Sequence, residues 1–196
     1  MPSIKAQRQY NNQLSLKIIQ KIRERFARSF LFDQQHKLNR ELKQVNLDNA
    51  RTLALLYYLP DEETYKKAEA ILVKLSDMGL KIRVVCYTDM KLIPHYFIPK
   101  ITQDVITVKD VNWRFQPVKL FVKEFIQTEF DILINLSLDE YLPLEYCAAL
   151  SKAGLKVGRF REDQHHIYDL LIHTVPDDTI DSFAEQVIYY LKMINN

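Results

Sequence analysis

The stretch TLALLYYLPDEE, residues 52–63, decides the predicted fold. It begins with Thr52–Tyr58, an unbroken apolar run that is typical of a strand buried on both faces of a parallel sheet. Pro60 and Asp61 then open a helix, because aspartate caps helices well and two further acids in the first turn suit the helix dipole. A buried strand followed at once by a helix predicts a βαβ unit.

The same alternation continues toward the carboxyl end of the chain. Apolar runs predict further strands at Ile82–Tyr87, Val105–Val108, Ile132–Leu136, Leu155–Phe160 and Tyr168–Ile172. Helices are expected up to Gly79, from about Pro117, over 140–153 and over 178–194. Strands separated by helices imply right-handed crossovers and parallel pairing. We predict a three-layer, Rossmann-like α/β fold with a mostly parallel sheet of about six strands. We predict the strand order 3-2-1-4-5-6, because the long excursion between strands three and four allows a reversal of direction there.

A basic helical arm precedes this domain, so the chain divides into an arm, 1–47, and an α/β domain, 48–196. Residues 1–45 have a net charge of +7, against +2 for the whole chain. At helical spacing, one face of the arm is apolar and consists of Leu14, Ile18, Ile19, Ile22, Phe26 and Phe30. Leu38, Leu42 and Val45 continue out of phase with that face, which predicts a helix break near Asp33.

The apolar face of the arm is too wide to be left in water on an isolated helix. We favour docking onto the protein's own sheet layer or onto a second copy of the chain, through Ile18, Ile22, Phe26 and Phe30. An anionic membrane surface and a nucleic-acid partner are the alternatives, because Lys17, Lys21, Arg25 and Arg28 are available to phosphates.

Composition narrows the class of protein. Of 196 residues, 47% are hydrophobic and 27% charged, as in ordinary globular domains. Cys86 and Cys147 lie far apart in apolar stretches, which favours reduced, buried thiols, no disulfide and a cytoplasmic location. The sequence contains no run of 18 apolar residues, so we predict no transmembrane span.

The glycines argue against a bound nucleotide. A dinucleotide or phosphate loop needs several glycines in a strand-to-helix turn, and this chain has three in all. Gly79 and Gly154 follow predicted helices, and Gly158 lies within a strand. Neither a nucleophile elbow nor a Cys–His–Asn arrangement is visible in the sequence. We therefore expect no cofactor, and we interpret the protein as a non-catalytic binding or regulatory module.

Polar residues collect where the predicted strands end. The carboxyl edge of an open α/β sheet is where such folds bind ligands, so the candidate binding residues are Tyr58, Asp61, Asn135, Ser137 and Asp139. An enzyme acting on a small molecule in this crevice is the alternative function. Asp61, Asp89, Ser137 and Asp139 have the oxygen ligands that a divalent cation needs, although helix caps and solvated acids explain them more simply. We interpret the pair His165-His166 as a polar loop.

Several stretches resemble an uncharacterised bacterial family whose members have a basic N-terminal helix and a small α/β domain. They are NLDNART (46–52), Asn112-Trp113, FDILINLS (130–137), PLEY (143–146), AALSKA (148–153), KVGR (156–159) and YDLLI (168–172). The resemblance implies an intracellular bacterial protein and no assigned activity. Phe130–Phe160 alone is similar to the N-terminal half of heptose-type glycosyltransferases. Too few residues follow for those enzymes' second domain, so that likeness supports the fold and not the activity.

Overall fold

The structure, a computed structural model, describes residues 4–161 and 166–194, with side chains from Leu14 onward except that of Leu16. Its helices are α1 (Ile4–Gln35), α2 (Glu62–Asp77), α3 (Leu120–Gln127), α4 (Leu142–Leu150) and α5 (Ile180–Met193). Its strands are β1 (Thr52–Tyr58), β2 (Lys81–Tyr87), β3 (Gln103–Ile106), β4 (Ile132–Asn135), β5 (Leu155–Arg159) and β6 (Leu170–Ile172).

The sheet has the predicted order, β3-β2-β1-β4-β5-β6, and every neighbouring pair is parallel. β1 is central: Leu53 lies opposite Ile82 on one side and Ile132 on the other. The chain moves outward from β1 to β3 and then returns to pair β4 on the free edge of β1. This reversal places a crevice at the carboxyl ends of β1 and β4.

Each face of the sheet has its own core. Leu53, Leu55 and Tyr57 belong to a cluster with α2 and α5, whereas Ala54 and Leu56 belong to a cluster with α3 and α4. All five side chains are fully buried. The unbroken apolar run in β1 therefore has the cause that the sequence predicts, burial on both sides.

Two helix ends follow local sequence rules. The side chain of Asp61 accepts a hydrogen bond from the Thr64 amide at 2.8 Å and so caps α2. Gly79 ends the same helix with φ +84°, a conformation that glycine adopts without strain.

β3 begins at the polar Gln103, earlier than predicted, because an edge strand tolerates polar side chains that a central strand does not.

The helix breaks close to the predicted position near Asp33, but the residues beyond the break are not helical. α1 ends at Gln35, and residues 36–51, all of which the structure describes, contain no helix. Leu38, Leu42 and Val45 lie on an irregular segment that hydrogen bonds hold to the domain. Arg40 donates to the Ala153 carbonyl at 3.0 Å and pairs with Asp169, and Lys43 pairs with Asp131 at 2.9 Å. The Lys43 amide also donates to the Gly154 carbonyl at 3.1 Å, so bonds to the domain hold this segment without a helix.

α1 docks on the domain through Phe30, which belongs to the predicted apolar face, and through Ala27 and Leu31, which do not. Ala27 (0% exposed) and Leu31 (3%) are buried in the cluster that contains α4, and Phe30 stacks on Tyr146 with ring centroids 5.9 Å apart. Ile18, Ile22 and Phe26 are about half exposed. The expected docking onto the protein's own layers therefore holds for Phe30 but is wrong for Ile18, Ile22 and Phe26, because α1 packs on α4 through Ala27 and Leu31.

Replacing Gly158 with alanine should lower the free energy of unfolding by about 2 kcal/mol. A Cβ at this position in β5 would lie 2.7 Å from Cε1 of the buried Tyr168 ring. Urea denaturation measures the loss. The cost should shrink in a Tyr168→Leu background, where the ring is absent; an undiminished cost there would show that the clash is not its cause.

Candidate binding crevice

The predicted crevice exists at the carboxyl ends of β1 and β4 and has a volume of about 330 Å³. It is bounded by the loop that follows each of these strands and by the N-terminal ends of α2 and α5. The lining residues are Tyr58, Pro60, Thr64, Lys67, Leu136, Ser137, Leu138, Asp139, Tyr141, Asp178, Thr179 and Ile180. Of the five predicted binding residues, Tyr58, Ser137 and Asp139 meet here.

One wall of the crevice is aromatic. The rings of Tyr58 and Tyr141 are stacked, with centroids 3.8 Å apart, and Tyr87 lies 6.0 Å from Tyr141. Burial, helped by the charges of Asp139 and Asp89, raises the pKa of Tyr141 to about 12, and burial likewise raises the pKa of Tyr58. Both phenols are therefore neutral at physiological pH and present a ring face and a hydroxyl to a ligand, not a base.

Ser137 contributes a buried hydroxyl to this crevice. The residue is 3% exposed, and its backbone amide donates to Oδ1 of Asn135 at 3.1 Å. Within 4–161 and 166–194, the Oγ atom has no hydrogen-bond partner. A buried hydroxyl without a partner costs about 1–3 kcal/mol. Such a group on the wall of a crevice is the pattern expected of a ligand contact.

Asn135 supports the crevice from behind and does not line it. Its Nδ2 donates to the Tyr168 hydroxyl at 2.7 Å, and that hydroxyl donates to Oε2 of Glu145 at 2.7 Å. Arg161 pairs with Glu145 at 3.4 Å. Sequence reasoning missed Tyr168 and Glu145, although a glutamate within the otherwise apolar helix LPLEYCAAL was a signal that this position is paired.

Carboxylates around the crevice bond to backbone amides near the starts of helices or pair with Lys67. The crevice therefore has little free positive charge. Asp61 caps α2, and its pKa is lowered by the Thr64 amide, so it serves the helix and is not among the lining residues. Asp178 accepts from the Val175 amide at 2.8 Å. Lys67 lies 2.9 Å from Glu63 and 3.6 Å from Asp181. With these groups already paired or anionic, the crevice does not suit a phosphate.

The residues proposed for a cation do not converge. No group of three or more His, Cys, Asp or Glu that could hold a metal ion occurs in the part of the chain that the structure describes. Asp61, Asp89 and Asp139 therefore do not form such a group. His165 lies outside the described residues, and the ring of His166 lies 5.5 Å from that of Phe32.

Nucleophilic chemistry is poorly supported by the same geometry. Burial raises the pKa of both thiols, Cys86 and Cys147, to about 12, which keeps them protonated and unreactive. Because Ser137 Oγ has no hydrogen-bond partner among the described residues, no described side chain is placed to take its proton. The crevice can bind polar groups but shows no activated nucleophile in the described ranges.

A family model for a family of unknown function (DUF6913) matches residues 23–194. The match agrees with the predicted likeness to an uncharacterised family. No curated protein and no solved structure matches the chain, so the local likeness to glycosyltransferases stays a prediction.

Proposed function

The chain belongs to this family of unknown function, and we propose that it is a non-catalytic binding module that holds a small polar molecule in the crevice between β1 and β4. The observation that supports this most is the buried hydroxyl of Ser137 on the crevice wall, which has no hydrogen-bond partner among the described residues. Its cost in stability is compensated when a ligand supplies the missing hydrogen bond.

The chemistry of the crevice narrows the ligand class. The stacked pair of Tyr58 and Tyr141 suits the flat or apolar face of a ring. Ser137 can donate and accept, and the exposed Asp139 accepts only. We therefore propose a small molecule with a ring face and with hydroxyl or amino groups, such as a sugar, a nucleoside or an aromatic amine. A volume of about 330 Å³ fits a compact ligand of this kind.

Ser137→Ala should weaken binding of such a ligand at least tenfold without lowering the melting temperature. The substitution removes a hydroxyl that makes no hydrogen bond within the described protein, so the fold loses nothing, while the ligand loses its deepest polar contact. A thermal-shift screen of sugars, nucleosides and amines first identifies a ligand of the unaltered protein, and calorimetric titration then compares the two proteins.

Tyr146→Phe is the matched control. The Tyr146 hydroxyl is also buried and without a partner among the described residues, but it does not line the crevice. This variant should resemble Ser137→Ala in stability and bind the ligand unchanged. Equal affinity of Ser137→Ala and the unaltered protein would refute the proposed contact. If the protein converted the ligand to a product during incubation, the protein would be an enzyme and not a binding module.

A further inference from the structure

The outward surface of α1 combines apolar and basic side chains. Leu14, Ile18, Ile19, Ile22 and Phe26 are 47–56% exposed. At about 100° per residue, Ile18 and Ile22 lie roughly opposite Ala27 and Leu31, which face the domain. Three exposed cations, Lys17, Lys21 and Arg25, border one edge of this apolar stripe. We call the stripe and its border the arm surface.

The domain extends the arm surface through the chain's one tryptophan. Trp113 is 52% exposed, and its ring lies edge-on to Phe26 with centroids 5.9 Å apart. Arg23 fastens the tryptophan loop to α1, because its Nε donates to the Trp113 carbonyl at 2.6 Å and its guanidinium lies 4.4 Å from the Phe115 ring centre. Aliphatic, aromatic and basic groups therefore share one continuous outer face.

The charge of the arm indicates what covers this face. Residues 4–32 contain seven Lys or Arg and one acid, Glu24. No ion pair of Lys17, Lys21 or Arg25 is found among the side chains that the structure describes. Packing two arms together would bring these cations close to one another, which opposes self-association through this surface. A nucleic acid would satisfy the cations but would leave the apolar stripe in water.

We infer that the arm surface binds an anionic lipid surface. The stripe enters the boundary between headgroups and acyl chains, Lys17, Lys21 and Arg25 reach the phosphates, and Trp113 lies at the interface, as in helices that lie in the membrane plane. From Leu14 to Phe26 the stripe extends over about 18 Å at 1.5 Å per residue, so roughly three turns can contact a flat surface at once. None of the described helices is long and apolar enough to span a bilayer.

The full chain should bind vesicles that contain about 30 mol% phosphatidylserine at least tenfold more tightly than pure phosphatidylcholine vesicles. Co-sedimentation measures binding, and a blue shift of Trp113 emission reports directly on the arm surface, because the chain has no other tryptophan. Raising the salt from about 100 to about 500 mM should weaken binding roughly tenfold, since headgroup attraction is screened.

Two pairs of substitutions separate the contribution of the apolar stripe to vesicle binding from that of the cations. Ile18→Asp with Ile22→Asp should abolish the blue shift and reduce binding more than tenfold, and it leaves Phe26 beside the fluorescent probe. Lys17→Glu with Lys21→Glu should remove the preference for anionic vesicles. Val73→Asp changes an equally exposed apolar residue, 59% exposed on α2 across the sheet, and should bind as the unaltered chain does. Circular dichroism checks that each variant is folded.

Three results would overturn the inference. They are unchanged binding of the Ile18→Asp, Ile22→Asp protein, equal binding to neutral and anionic vesicles, and the same blue shift with inorganic phosphate alone. No vesicle binding, together with a dimer that the aspartate pair dissociates in light scattering, would instead identify a second copy of the chain as the occupant.

Discussion

Replacing Lys156 with methionine should raise the free energy of unfolding at pH 7 and flatten its dependence on pH. Lys156 is fully buried at the start of β5, and its Nζ donates to the Ala149 carbonyl at 3.0 Å. Burial, with a smaller contribution from the charge of Arg40, lowers the pKa of this ammonium to about 7, and Asp169 opposes the shift only weakly. The unfolded chain restores the ordinary value of 10.5.

The direction in which stability changes with pH follows from the number of protons that the folded and unfolded chains bind. Between about pH 7 and 10.5 the unfolded chain holds a proton on Lys156 that the folded protein has released, so stability rises with pH across this window and is flat below it. The folded protein should be about 2 kcal/mol more stable at pH 9 than at pH 7, at 1.36 kcal/mol per pKa unit. Methionine is an unbranched side chain only one atom shorter than lysine, and it removes the charge.

Urea denaturation at pH 7, 8 and 9 tests this expectation. Lys156→Met should lose most of the rise, and at pH 7 it should be more stable even though the Ala149 carbonyl loses its donor, which costs about 1 kcal/mol. Lys123→Met, at an exposed position on α3, is the control and should keep the slope of the unaltered protein. Parallel curves for the Lys156 variant and the unaltered protein would show that the buried amine is not the titrating group.

Much of the fold is readable from the sequence because its causes are local. The apolar run of β1 reflects burial on two faces, and the excursion between β3 and β4 permits the reversal that sets the strand order. Tyr58, Ser137 and Asp139 follow as neighbours, since parallel strands end at one edge. Asp61 is assigned to the same edge but acts on its own helix, because a cap needs only the amide three residues on.

Long-range packing accounts for what the sequence could not show. The arm docks through Ala27, a residue too small to count in an apolar stripe, and shares a buried cluster with Ala148 and Ala149 of α4. Small side chains on both helices allow a close approach, and that pairing is invisible in either helix alone. The partners of Asn135 were equally hidden, because Tyr168 reaches it only through the register of β5 and β6.

Glu145→Ala should lower the free energy of unfolding by about 3 kcal/mol, because it removes one partner from a buried polar network. Glu145 is 1% exposed and accepts from Tyr168 at 2.7 Å and from Arg161 and Asn135 at 3.4 Å. Alanine leaves these donors buried beside an apolar methyl group. Chemical denaturation at neutral pH measures the loss directly.

A comparison with Glu140→Ala distinguishes the loss of a buried, hydrogen-bonded carboxylate from the loss of a carboxylate charge alone. Glu140 precedes the same helix and pairs with Arg28, whose side chain is 45% exposed, so its removal should cost less than about 1 kcal/mol. In a Tyr168→Phe background, Glu145→Ala should lower the free energy of unfolding by less, because the Tyr168 hydroxyl that would lose its acceptor is already absent. Equal costs for the two glutamates, or full additivity with Tyr168→Phe, would mean that the network does not act as a unit. Because Asn135 also holds the Ser137 amide, the Glu145 variant should in addition bind the crevice ligand less tightly, which Glu140→Ala should not.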